Sequence, residues 1–165
     1  MASGLARLFQ PRALYLETFL ACAALIGYAM YLQEVQQLEP CPLCILQRYA
    51  YVLVGALALL AAALPRAAAR FVAGLGILAA LTGAGIGAWH VWLQLHPPKV
   101  SACGPSLEYL VDNLPLSSAL PKIFHGYADC TNIDWTFLGL SIPAWSILCL
   151  LGLAALLALA TRRRA

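Results

Sequence analysis

Four stretches of the chain are almost free of polar side chains: Leu14 to Leu32, Ile45 to Leu64, Phe71 to about Leu95, and about Leu138 to Ala160. Each is 19 residues or longer, and a helix rising 1.5 Å per residue over that length crosses a hydrocarbon layer about 30 Å thick. The pattern predicts an all-α membrane protein, a bundle of four transmembrane helices forming one integral membrane domain over residues 1–165. Outer loops are expected at 33–44 and 96–137. Four crossings return the chain to its starting side, so both termini share a face with the short turn from Pro65 to Arg70.

The charges orient this bundle. Arg7, Arg12, Arg66, Arg70 and the run Arg162, Arg163, Arg164 fall on the terminal face, whereas the other face holds Lys99 and Lys122 among Glu34, Glu39, Glu108, Asp112, Asp129 and Asp134. Basic residues stay on the cytoplasmic side, so both termini are expected there. A removable leader in the first 30 residues is the alternative use of Arg7 and Arg12. The apolar run after them exceeds the usual 7 to 15 residues or so, and its removal would leave three spans with the C-terminal arginines outside.

Composition supports lipid as the surrounding medium: 62% of the residues are hydrophobic and 10% charged, with a mean hydropathy of +0.81. The net charge of +3 is sorted along the chain instead of gathered into a patch, which argues against a nucleic-acid partner. Gly74, Gly76, Gly83, Gly85 and Gly87 on the third span let helix backbones come close, a packing use and not a chemical one. In the long outer loop, Ser117 to Phe124 reads as a short helix lying on the membrane surface.

Four of the six cysteines lie outside the centres of the spans and carry the chemistry. Cys41 and Cys44, separated by Pro42 and Leu43, stand where the second span begins. Free N–H groups and the positive end of the helix dipole favour a thiolate there, and Pro42 suits a first turn whose N–H groups have no acceptor. Arg48 follows Cys44 by four residues, on the same helix face and about 6 Å deeper. It either snorkels to the headgroups or stabilises the thiolate and holds a polar ligand.

Cys103 and Cys130 sit in the long outer loop with 26 residues between them. In an oxidising compartment they pair, as a structural staple or as a second dithiol exchanging with Cys41 and Cys44. No metal is expected. One pair alone has ligand-like spacing, and the outer loops would have to converge to close a tetrahedral site. Cys22 and Cys149, inside the first and fourth spans, read as small packing groups.

The run Pro40-Cys41-Pro42-Leu43-Cys44-Ile45-Leu46-Gln47-Arg48, then His90, Cys103 and Asp129-Cys130, and then Trp135 through Ile142-Pro143-Ala144-Trp145 closely resembles the disulfide bond formation protein B (DsbB) family. The resemblance extends from the first span to the fourth. It implies an inner-membrane, quinone-dependent oxidase of protein dithiols whose active loops face the bacterial periplasm. A reduced thioredoxin-fold oxidase of the DsbA type would attack the Cys103 to Cys130 disulfide at Cys103. Cys130 would then attack Cys41, freeing Cys44, and two electrons would pass to a ubiquinone or menaquinone. On this resemblance Arg48 would stabilise the Cys44 thiolate and the charge that develops on the reduced quinone. His90, between Trp89 and Val91 at the outer end of the third span, reads either as an interfacial histidine or as a quinone-binding proton donor.

Two other classes fit the spans but not the cysteines. A small transporter subunit would need midplane polar groups, and Glu17 and Arg48 are the only charged residues in the spans. A disulfide-stapled structural protein gains little from a bond between Cys41 and Cys44, which closes a very small loop.

Overall fold

The computed structural model describes residues 10–38, 40–97, 115, 128–131, 133 and 135–163. Its long helices are α1 (Pro11–Gln36), α2 (Pro42–Ala63), α3 (Arg66–Leu95) and α5 (Ile142–Arg163). Between the last two lie a one-turn helix, α4 (Ala128–Thr131), and a two-stranded antiparallel hairpin of β1 (Thr136–Phe137) and β2 (Leu140–Ser141). All four long helices are long and apolar enough to cross a membrane. Cys103 and the segment from Ser117 to Phe124 fall outside the described residues.

Three of the helices overrun the apolar stretches that announce them. Proline opens α1 and α2 and stands as the N-cap of α3, where its fixed φ and missing N–H cost nothing. The helices therefore begin at residues 11, 42 and 66, ahead of the expected 14, 45 and 71. α1 also runs on through Glu34 and Gln36 and ends at Gln37, whose left-handed φ of 54° lets Leu38 N–H donate back to Leu32 O at 3.4 Å. The first outer loop accordingly shrinks to residues 37–41. The last helix departs in the other direction. It starts at Ile142, not near Leu138, because Leu138 (φ 51°) and Gly139 (φ 77°) turn the chain in a tight hairpin. Hydrophobicity there marks an exposed hairpin tip and not a helix, since Leu138 is 78% exposed.

Each long helix packs on the next, and α5 closes the ring against α1. The α3 side of this bundle is a stripe of small residues: Ala69, Ala73, Gly76, Ala80, Gly83, Ala84 and Gly87, all buried, with His90 next in line. A Cβ on Gly83 would lie 2.7 Å from Ala50 Cβ and 3.0 Å from Leu150 Cδ1, and one on Gly87 would lie 2.8 Å from Ile147 Cγ1. These positions let α3 touch α2 and α5 at once. Gly74 and Gly85, grouped with them by sequence, have nothing within 4 Å of an added Cβ and do not serve the contact. Between α1 and α2, buried Cys22 packs against Gly55, whose added Cβ would lie 3.1 Å from Cys22 Cβ. That is the packing role expected of Cys22.

Large apolar side chains point outward: Leu20 is 62% exposed, Phe71 70% and Leu78 61%. A belt of this kind is at home in acyl chains and not in water. Gln10, Arg12, Arg66 and Arg163 gather at one end of the bundle, and the described cysteines of the two outer loops gather at the other.

Gly83→Ala is expected to destabilise the bundle by about 1–3 kcal/mol through overpacking against Ala50 and Leu150. Gly85→Ala is expected to leave it unchanged or slightly more stable, having open space and a better helix former. Thermal unfolding in detergent micelles compares the two, and equal losses would show that Gly83 is not a contact point.

Candidate functional site

Cys41 is the N-cap of α2, with extended backbone (φ −69°, ψ 163°) and Pro42 in the first helical position. Its carbonyl accepts the first helical hydrogen bond, from Ile45 N–H at 3.1 Å. One turn later comes Cys44, and the two Sγ atoms stand 3.5 Å apart as free thiols. Cys41 is buried while Cys44 is half-buried. The sequence motif thus becomes a dithiol fixed at a helix start, with one sulfur turned into the protein and the other more open.

The burial of Cys41 comes from two other elements. His90, 2% exposed, lies near the end of the small-residue stripe of α3. Its Nε2 is 3.7 Å from Cys41 Sγ and donates to the Cys130 carbonyl at 3.0 Å. A carbonyl acceptor places the proton on Nε2 and leaves Nδ1 as an acceptor, and Nδ1 is buried with no hydrogen-bond partner among the described residues. Cys130, 1% exposed, is carried by α4, which packs on α3. Cys130 Sγ, Cys41 Sγ and a His90 ring nitrogen all lie within 4.8 Å of one another. Two cysteines 89 positions apart in the chain therefore meet sulfur to sulfur.

Cys130 is held as a thiol. Its hydrogen bond with Cys41 and its burial push the pKa well above the usual thiol range, outweighing the Leu43 N–H and His90, which favour the thiolate. Two sulfurs this close in a buried place do not both ionise readily.

Beside the cysteines, a cavity of about 440 Å³ opens among α1, α2, α3, α5 and the hairpin, with Cys41, Cys44, Arg48, His90, Trp135 and Trp145 in its wall. That volume is in the range of small-molecule sites. Arg48 lines it on the same side as Cys44, as the four-residue spacing requires. Its guanidinium reaches across to α1, where Nη1 donates to Gln33 Oε1 at 2.6 Å and Nη2 to the Ala29 carbonyl at 3.2 Å. The cation is thus anchored by polar groups of a neighbouring helix.

Several wall residues escaped the sequence reading. Gln47, 4% exposed, has an Nε2 without a partner among the described residues. Its proximity to Cys44 and Arg48 on one helix was the available signal. The hairpin supplies an aromatic rim: Trp145 Nε1 donates to Phe137 O at 2.9 Å, and the Trp135 and Phe137 rings stack at 6.1 Å. Ser141 Oγ donates to Gln94 Oε1 at 2.8 Å, tying the rim to α3. Cys149 lines the cavity near Tyr51, where the sequence suggested simple packing.

A helix-start dithiol, a third cysteine in contact with it and four membrane-length helices define a multi-pass membrane protein of the thiol–disulfide oxidoreductase class. Comparison with known proteins narrows this. Residues 11–160 match the model of the family described as disulfide bond formation protein DsbB. The chain is 53% identical over 150 residues to the disulfide bond formation protein B of Azoarcus sp. (strain BH72), covering 90% of each chain. It is 50% identical over 148 residues to that of Methylococcus capsulatus, covering 87% of this chain and 90% of the relative. To that of Aromatoleum aromaticum it is 47% identical over 144 residues, covering 86% and 87%. The chain belongs to the DsbB family and is a disulfide-forming oxidoreductase.

In the fully reduced protein, Cys130 is expected to alkylate far more slowly than the same residue in denatured chain, because it is buried and its pKa is raised. As pH rises through the ordinary thiol value of about 8.5, labelling of the denatured chain accelerates while folded Cys130 stays slow. Mass spectrometry after timed maleimide pulses reads this, and equal rates in folded and denatured protein would refute it.

Proposed function

We propose that this protein reoxidises a periplasmic dithiol oxidase of the DsbA type and delivers the electrons to a membrane quinone, from the bacterial inner membrane with its cysteine end in the periplasm. The observation that carries this proposal is the meeting of Cys130 Sγ and Cys41 Sγ beside a cavity that Arg48 and Cys44 also line. A staple between Cys103 and Cys130 has no need of the Cys41 contact, whereas thiol exchange requires it.

The exchange balances as follows. A thiolate of the reduced partner attacks Cys103 Sγ of the Cys103–Cys130 disulfide and forms a mixed disulfide, and Cys130 leaves as thiolate. Cys130 then attacks Cys41 Sγ of the Cys41–Cys44 disulfide, and Cys44 leaves as thiolate. The partner's second thiol displaces Cys103, which attacks Cys130, restores the outer disulfide and releases Cys41. The partner has lost two electrons and two protons, and both electrons now reside on Cys41 and Cys44. His90, with Nε2 3.7 Å from Cys41 Sγ and Nδ1 without a partner among the described residues, takes and returns the proton that each sulfur exchange sheds.

The cavity suits a quinone on its own chemistry. Its wall is mostly apolar, and two buried polar atoms in its lining residues, Gln47 Nε2 and His90 Nδ1, lack partners among the described residues. A quinone, ubiquinone or menaquinone, supplies there an acceptor for two electrons and two protons. Arg48 stabilises negative charge on that acceptor and on Cys44, and its anchorage on Gln33 and Ala29 spares it reorganisation during the step. Trp135, Phe137 and Trp145 add aromatic surface to the same wall.

The decisive measurement is quinone-dependent oxidation of a reduced thioredoxin-fold dithiol by the purified protein. Absence of quinone reduction with every acceptor would remove the proposal. Cys103→Ser is expected to abolish turnover with the protein partner while the Cys41 and Cys44 pair, reduced by a small dithiol, still reduces quinone. Near-normal turnover with the partner would leave the outer pair as a staple.

Arg48→Met is expected to raise the KM for quinone by about tenfold or more, the loss of one charge-assisted contact. Lysine would restore it only in part, keeping the charge without the planar fork. Steady-state rates against quinone concentration read this, and an unchanged KM in Arg48→Met would place the acceptor elsewhere.

A further inference from the structure

We propose that the reduced protein also binds a soft divalent cation, zinc above all, between Cys41, Cys130 and His90, and that the bound cation holds the enzyme inactive. The proposal builds on the reading of these cysteines as thiols that pass through the reduced state.

The donors come from three elements, α2, α3 and α4, and their ligand atoms lie within 4.8 Å of one another. All three residues are buried. Two sulfurs and one imidazole nitrogen, with no carboxylate, form a set that selects zinc and its soft neighbours over magnesium or calcium. Zinc–sulfur bonds of about 2.3 Å and zinc–nitrogen bonds of about 2.0 Å place tetrahedral donors about 3.5–3.8 Å apart. Cys41 Sγ and His90 Nε2 already stand at 3.7 Å. Cys44 Sγ, 3.5 Å from Cys41 Sγ, is near enough to supply a fourth donor. The sequence argued against a metal because the outer loops would have to converge; α4 brings Cys130 onto the start of α2, and the convergence is present.

The charges and protons balance. Coordination takes the protons of Cys41 and Cys130 to solvent, and two thiolates with one dication make a neutral unit, the form that burial favours. Cys44, as the fourth donor, gives up its proton as well, and the single negative charge this adds faces the cavity that the Arg48 guanidinium also lines. For Nε2 to bind metal, its proton must leave the Cys130 carbonyl and appear on Nδ1, which has no partner among the described residues and is free to carry it. No electron moves. Both thiolates are then held away from exchange, and the oxidised protein, whose sulfurs are bonded to one another, offers no site. Cys41 and Cys130 are never both thiols in the exchange described above, so the metal traps only the fully reduced protein, in which both pairs are open.

The test uses the full chain in detergent micelles, reduced with a phosphine and desalted without oxygen. Cobalt is the probe. Reduced protein is expected to take up one equivalent with the intense visible bands of tetrahedral cobalt and thiolate-to-cobalt charge transfer, and zinc is expected to displace it. Cys130→Ser and His90→Phe should each weaken binding by more than the roughly 10- to 100-fold that loss of an outer partner costs. Cys22→Ala should bind as the parent does. Circular dichroism checks the fold of each variant, and Cys130→Ser, altered on the one-turn helix outside the bundle, decides if His90→Phe is unfolded.

Zinc should stop single-turnover reoxidation of the pre-reduced protein by quinone, with no partner protein present, and a chelator should restore it. The same cobalt spectrum in oxidised protein or in folded Cys130→Ser would overturn the proposal, as would full reoxidation at saturating zinc. Quinone reduction without cobalt binding would defeat the metal site and leave the oxidase intact. Cobalt binding in a protein that never reduces quinone would uphold the site and defeat the oxidase.

Discussion

The close approach of α3 to its neighbours governs the rest of the molecule. Helices in lipid gain no hydrophobic free energy by leaving it for one another, so they associate through tight packing of small side chains and a few polar links. Gly83 lies against Ala50 and Leu150, and Gly87 against Ile147 and the Pro143 carbonyl. Three residues beyond Gly87 the same face carries His90, which is thereby pressed onto Cys41 and the Cys130 carbonyl. The contact that holds the bundle together also sets the redox centre.

Polar groups are distributed by the same economy. The hydrocarbon-facing belt is apolar, while the polar side chains that the bundle buries at the cysteine end face one cavity and one another. Arg48 is tied to Gln33 and Ala29 on α1, Tyr51 OH donates to the Ser146 carbonyl on α5 at 3.1 Å, and Ser141 links the hairpin to Gln94 on α3. These links lie around the cavity and brace its walls where small-residue packing gives way to open space. Two buried polar atoms without partners among the described residues, Gln47 Nε2 and His90 Nδ1, belong to residues of that wall. In a medium that cannot satisfy them, such atoms mark where a ligand or a proton is handled.

Much of this was legible in one dimension. Apolar runs of membrane length fixed the number of helices and their order, because no other regular structure satisfies its backbone alone in lipid. The four-residue step from Cys44 to Arg48 placed both on one helix face, and the dithiol at the start of α2 followed from Cys41, Pro42 and the apolar run after them. The errors have a common cause. Hydrophobicity measures the part of a helix in lipid and not the helix, so α1, α2 and α3 begin earlier than their apolar runs, and Leu138, exposed on a hairpin tip, was taken for the start of α5.

Local spacing determined the all-α membrane class, the span count and the dithiol at the start of α2, since each depends on residues within a few turns of one helix. Contacts between elements lay beyond its reach. That Cys130 faces Cys41, that His90 bridges them, that Gln33 anchors Arg48 and that Gly83 packs while Gly85 does not were decided by the tertiary structure alone. Each depends on the rotation and separation of helices packed side by side, quantities that no single helix encodes.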